Sequence, residues 1–167
     1  MTLADFTSPG LIIPRLQGQD AQSVIHELSQ ALQRENRVGD MLPLYEAALK
    51  RELLVSTDMA VGMAFPHARL TGLKELSFAL GRSDKPFSWS VKSRPVRLVF
   101  LLAVPANDAM QHLQLISGIS RLAGQPQRVE ELYAAKDPAD ILGVLRQISL
   151  WTRPRVEPAA PGMKPIK

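Results

Sequence analysis

The chain has no cysteine, which excludes a disulfide framework, a thiolate nucleophile and any zinc site built on cysteine. Aromatic residues make up only 5% of it, too few for the stacking platforms that strand-binding proteins interleave with a basic stripe. The net charge of +4 does not restore that reading. Arg153, Arg155, Lys164 and Lys167 face Glu157 alone in 151–167, so residues 1–150 are close to neutral, and no nucleic-acid partner is expected. Long apolar runs are missing too. The longest, Leu98 to Val104, is far short of the roughly 18 residues that a membrane span needs, so no membrane insertion is expected. Met1 to Arg15 carries Asp5 early and only the short apolar run Leu11 to Ile13, unlike a secretion signal, and the expected location is cytoplasmic. Neither a Gly-x-Ser-x-Gly elbow nor a His-Glu-x-x-His helix occurs, so the familiar hydrolase and metalloenzyme parts are lacking. Three histidines remain for chemistry that needs a base near neutral pH.

What is present suits one ordinary domain: 167 residues, 46% hydrophobic and 22% charged. Pro154, Pro158, Pro161, Pro165 and Gly162 block regular structure from Trp151 onward, which predicts a domain over 1–150 and a flexible, proline-rich basic tail over 151–167. Leu11 to Ile13 reads as a short strand. Asp20 then caps a helix reaching Glu35, with Ala21, Val24, Ile25, Leu28 and Leu32 on one face and His26 off it. Asp40 caps a second helix that tolerates Pro43 in its first turn, buries Leu44, Ala48 and Leu49, and ends near Leu54. Leu76 to Arg82 and Phe87 to Val91 read as strands, the latter with Phe87, Trp89 and Val91 pointing one way. Val96 to Val104, stopped by Pro105, has the composition of a central strand covered on both faces. Helices follow: Asp108 to Ala123 with Gln111 placed for a capping-box variant, then Gln127 to Ala135 and Pro138 to Leu150. The sum is an α/β domain with helices flanking a central sheet, its strand order not legible in the pattern.

Chemistry concentrates at Gly62-Met63-Ala64-Phe65-Pro66-His67-Ala68-Arg69. Pro66 holds Phe65 extended and fixes its own φ, so His67 leaves the strand in a set direction. A neutral imidazole is a good nucleophile near pH 7 and can take a phosphoryl group reversibly; the plainer alternative is a turn histidine bonded to backbone. His112 shares a helical stripe with Leu115, Ile116, Ile119 and Leu122 and faces inward at a helix start, where the dipole disfavours its protonation and favours an anion. It can donate to a phosphoryl oxygen, or be a core histidine satisfied by a carbonyl. Arg51 borders the buried stripe of its helix, as an oxyanion ligand or as a snorkelling arginine paired with an acid. Ser56 and Thr57 follow the helix end, where hydroxyls commonly serve turns.

Together, Lys50-Arg51-Glu52, Ser56-Thr57, the Gly-x-Ala-x-Pro-His segment ending at His67, Pro95 to Phe100 and His112-Leu113 resemble the enzyme IIA domains of the fructose, mannitol and nitrogen-regulatory (type 2) branch of the bacterial phosphoenolpyruvate-dependent phosphotransferase system. The match runs from about Leu3 to Ile148. It implies a single α/β domain with a mixed sheet flanked by helices on both faces. It also implies a phosphoryl carrier that accepts phosphate on His67 from the phosphohistidine of HPr or its nitrogen-branch relative. Arg51, Thr57 and His112 match the positions that support the active histidine. No metal or cofactor is implied, and the acceptor is a cysteine of an enzyme IIB partner or, in a regulatory route, nothing further. The alternative is a module that controls a transporter or kinase by binding, without relaying phosphate. Ala68 departs from the family's usual glycine, a costly change if that position needs φ > 0.

Overall fold

A computed structural model describes residues 1–59, 61–92 and 94–150; the tail expected over 151–167 lies outside the described residues. The first two helices form where the sequence caps them. α1 (Ala21–Arg34) starts at Asp20, whose carboxylate accepts from the Ser23 N–H at 2.7 Å. α2 (Met41–Leu54) starts at Asp40, which accepts from the Leu42 N–H. The strands are β1 (Ile12–Ile13), β2 (Met63–Ala64), β3 (His67–Leu70), β4 (Ser77–Phe87) and β5 (Val96–Pro105). After them come α3 (Ala109–Ala123), α4 (Pro126–Ala134) and α5 (Pro138–Leu145).

The five strands form one mixed sheet in the order β1-β4-β5-β2, with β3 also on β5. β4 and β5 are antiparallel, whereas β1 lies parallel to β4 and both β2 and β3 parallel to β5. Strand alternation divides the core in two. Leu98, Phe100, Leu102 and Val104 of β5 pack with Leu115, Ile119 and Leu132 from α3 and α4, and with Ile141 and Leu145 from α5. Val99, Leu101 and Ala103 turn to the other face, against Val24, Ile25 and Leu28 of α1 and Leu44 and Ala48 of α2. The central strand is thus sealed by helices on both faces, as its unbroken apolar run predicts.

Two elements differ from expectation. Phe87 to Val91 is not a strand of its own: β4 runs through to Phe87 with an irregular register between Arg82 and Phe87, Trp89 is buried, and Val91 is fully exposed. Pro86, with no N–H to give, accounts for part of that irregularity. The last helix stops at Leu145 and not Leu150, because the chain beyond it bonds to the N-terminus. There Leu3 N–H donates to the Ile148 carbonyl and Leu150 N–H to that of Met1, an alternative backbone pairing that the helix cannot offer. Among the described residues no helix is long and apolar enough to cross a membrane.

Candidate functional site

β2 and β3 are one edge strand with a gap. Met63 lies opposite Leu98 and His67 opposite Leu102, so both pieces hold the same register on β5, interrupted only by Phe65-Pro66. The Pro66 carbonyl still accepts from Leu102 N–H, but in a parallel ladder a residue's N–H faces the same neighbour as its carbonyl, so the missing proline N–H is a ladder bond that the gap lacks. His67 therefore does not leave a strand, as the sequence suggests, but begins one. Its side chain follows the Met63 face, toward α3, while Ala64 and Ala68 turn toward α1 and α2.

The half-buried His67 ring has Nδ1 3.1 Å from the Phe65 carbonyl oxygen. A carbonyl only accepts, so the bond assigns the proton to Nδ1 and leaves the lone pair on Nε2. Beside it, with ring centroids 5.0 Å apart, is His112 in the first turn of α3. His112 is 6% exposed, and its Nδ1 lies 3.4 Å from Nη2 of Arg69. A guanidinium only donates, so Nδ1 accepts and the His112 proton belongs on Nε2, which is buried without a partner. Burial first, then the neighbouring His67 and Arg69, push the His112 pKa down to about 4, so this ring is neutral at pH 7.

Arg51 is exposed at the last turn of α2, where its Nη1 donates to the Val55 carbonyl at 3.2 Å. With Ala47 it lines a shallow cavity of about 250 Å³ whose other walls are His67, Ala68 and Arg69. Arg51 from α2 and Arg69 from β3 thus both line the cavity that His67 borders. Of the other residues singled out from sequence, His112 does not line this cavity, and nor does Thr57. Thr57 is buried, its hydroxyl is 3.0 Å from both Glu52 carboxylate oxygens, and it accepts from Phe65 N–H at 2.9 Å. Ala68 needs no left-handed backbone: Asn36 is the non-glycine residue with positive φ among those described.

Read from sequence, Glu52 and Trp89 carry no role of their own, and Arg69 is either a further phosphate contact or a side chain facing solvent. Glu52 is 6% exposed and accepts the Trp89 indole N–H at 2.8 Å and the Thr57 N–H at 2.7 Å. A signal for it existed: Leu44, Ala48 and Glu52 recur every four residues, which places a carboxylate on the apolar stripe. Arg69 lies two residues from His67 on a strand, hence on the same face. For Trp89 the local pattern indicated burial but no polar partner.

A small α/β domain with an imidazole and two arginines lining one edge cavity, and a neutral histidine beside them, is chemically suited to hold an anionic group. The family described as "Phosphoenolpyruvate-dependent sugar phosphotransferase system, EIIA 2" matches residues 5–148. The chain belongs to this family of phosphocarriers and has a phosphotransferase role. A nitrogen regulatory protein of Bradyrhizobium diazoefficiens is 31% identical over 146 residues, covering 87% of this chain and 95% of that protein. The crystal structure of nitrogen regulatory protein IIA-Ntr from Neisseria meningitidis superposes with a TM-score of 0.74 at 26% identity, covering 86% of this chain and 98% of the other. IIA mannitol from Escherichia coli shares the fold, with a TM-score of 0.70 at 18% identity over 83% of this chain and 97% of its own.

Proposed function

We propose that His67 Nε2 accepts a phosphoryl group from the phosphohistidine of HPr, or of its nitrogen-branch relative, in the cytoplasm. The observation that carries this reading is the Nδ1 bond to the Phe65 carbonyl, which leaves Nε2 as the free nucleophile beside Arg51 and Arg69. In the transfer a bond forms between Nε2 and phosphorus as the donor's N–P bond breaks, and the donor imidazole recovers its lone pair. The Nδ1 proton stays on the ring, hydrogen-bonded to the Phe65 carbonyl, whose dipole offsets the positive charge that the attacking ring acquires. Phosphoryl transfer asks a protein mainly for positioning and charge stabilisation. Arg51 and Arg69 supply the charge, and the unpartnered His112 Nε2–H is a donor for a phosphoryl oxygen. Thr57 supports the histidine from beneath. The group then passes to a cysteine of an enzyme IIB partner or stays on His67 as a signal.

Incubation with phosphoenolpyruvate, enzyme I and HPr should give an acid-labile phosphoryl group on the intact protein by mass spectrometry. His67→Ala should abolish it; equal labelling of that variant would move the site elsewhere. The similarity to a nitrogen regulatory protein supports a second reading, in which the domain controls a transporter or kinase by binding. That reading is favoured if a target binds His67→Ala and the wild type equally well.

A further inference from the structure

A carboxylate as buried as Glu52 is costly unless donors surround it. They do: Thr57 N–H at 2.7 Å, the Thr57 hydroxyl at 3.0 Å and the Trp89 indole N–H at 2.8 Å. The amide and the indole can only donate, so Glu52 acts as an acceptor here, and that decides the next link. A threonine hydroxyl has one proton. Once given to Glu52, it leaves only lone pairs toward Phe65 N–H, at 2.9 Å. The same Phe65 presents its carbonyl to His67 Nδ1 at 3.1 Å. Glu52 thus fixes the threonine hydroxyl, and with the fixed donor and acceptor roles of the Phe65 N–H and carbonyl the chain of bonds runs unbroken from the buried acid to the imidazole.

The need for such a brace lies in the gap between β2 and β3. Phe65 and Pro66 fall outside both strands, at the sheet edge. The Phe65 N–H is taken up by a side chain and not by a neighbouring strand. We propose that Glu52, anchored by Trp89, is a positioning residue for His67: through Thr57 it holds the Phe65 backbone so that its carbonyl selects the Nδ1–H tautomer and presents Nε2 for reaction. One helix end thus supplies a cation to the cavity through Arg51 and a brace to the nucleophile through its neighbour. The consequence for rate rests on the phosphoryl-acceptor reading of His67; the consequence for the tautomer does not.

The experiment compares Glu52→Gln, Thr57→Val and Thr57→Ser with the wild type by ¹⁵N NMR of the His67 imidazole and by phosphorylation from phospho-HPr. Thr57→Val is nearly isosteric and removes the link, whereas Thr57→Ser keeps the hydroxyl. Glu52→Gln still accepts through its oxygen but offers protons where the hydroxyl needs an acceptor. The wild type and Thr57→Ser should show one tautomer, protonated on Nδ1. Glu52→Gln and Thr57→Val should show mixed tautomers and transfer slowed about tenfold, with dispersed amide spectra confirming the fold. A single wild-type tautomer in both variants, or rates within about twofold of wild type, would assign Glu52 to folding alone. If Thr57→Val does not fold, Glu52→Gln against Thr57→Ser decides the matter. A wild-type protein that never takes phosphate from phospho-HPr would overturn the proposed function, while the tautomer comparison would still decide the role of Glu52.

Discussion

His112, with its ring centroid 5.0 Å from that of His67, is held neutral near pH 7, first by its burial and then by the neighbouring His67 and Arg69. Its folded pKa of about 4 lies below the unfolded reference of ~6.5, so protonation favours the unfolded chain. Its contribution to stability is complete above about pH 6.5 and is lost as pH falls toward about 4. Urea midpoints of the wild type and His112→Gln are accordingly expected to converge over that interval; a difference independent of pH would contradict the assignment. Arg69→Gln removes the donor to His112 Nδ1 and one of two cations in the cavity. The His112 titration followed by NMR should then move upward, and phosphorylation should slow about three- to tenfold. At this scale the sequence showed the two histidines and Arg51 as chemistry, because local motif and helical phase carry them. It showed Thr57 only through resemblance. Glu52 went unread although it repeats the four-residue spacing of Leu44 and Ala48, and the indole that meets it had no local mark at all.

Among the elements, β5 and the interrupted edge strand matter most. Leu101 is fully buried in the α1 and α2 layer, so Leu101→Ala should cost about 2–5 kcal/mol in urea unfolding. Its effect on transfer by the surviving folded fraction should be small. Ala68 has ordinary backbone geometry and a buried methyl, so the departure from the family's glycine is accommodated by packing and not by strain. Ala68→Gly is expected to lose roughly 1 kcal/mol of stability with the His67 transfer rate little changed; a gain in stability would mean that the position prefers the left-handed region. The limits of α1, α2, β5 and α3 were legible because caps, apolar periodicity and Pro105 are local. Phe87 to Val91 misled because alternation says that residues share a face, not that a partner strand lies alongside. The break at Phe65-Pro66 was legible as a proline effect, but the resumption of pairing at His67 depends on β5 and had no local mark.

For the whole molecule, the N-terminal turn closes the fold against its other end. Leu3 is fully buried with α3 and α5 residues, and Thr2 bridges Ser149, so Leu3→Ala should destabilise by about 2–5 kcal/mol. One cooperative transition by fluorescence and circular dichroism is expected; separate transitions would show that the closure is an independent unit. The site occupies the sheet edge, where layers from both faces meet: α2 brings Arg51 and Glu52, α3 brings His112, and β3 brings His67 and Arg69. The amino-acid order alone determined the helices, the central strand, the α/β class and the candidate nucleophile, since periodicity, capping and proline geometry act over a few residues. Only the tertiary structure decided that Trp89 meets Glu52 across 37 positions and Arg69 meets His112 across 43. Those pairings depend on which strands lie side by side, and a hydrogen bond records distance in space, which no local pattern contains.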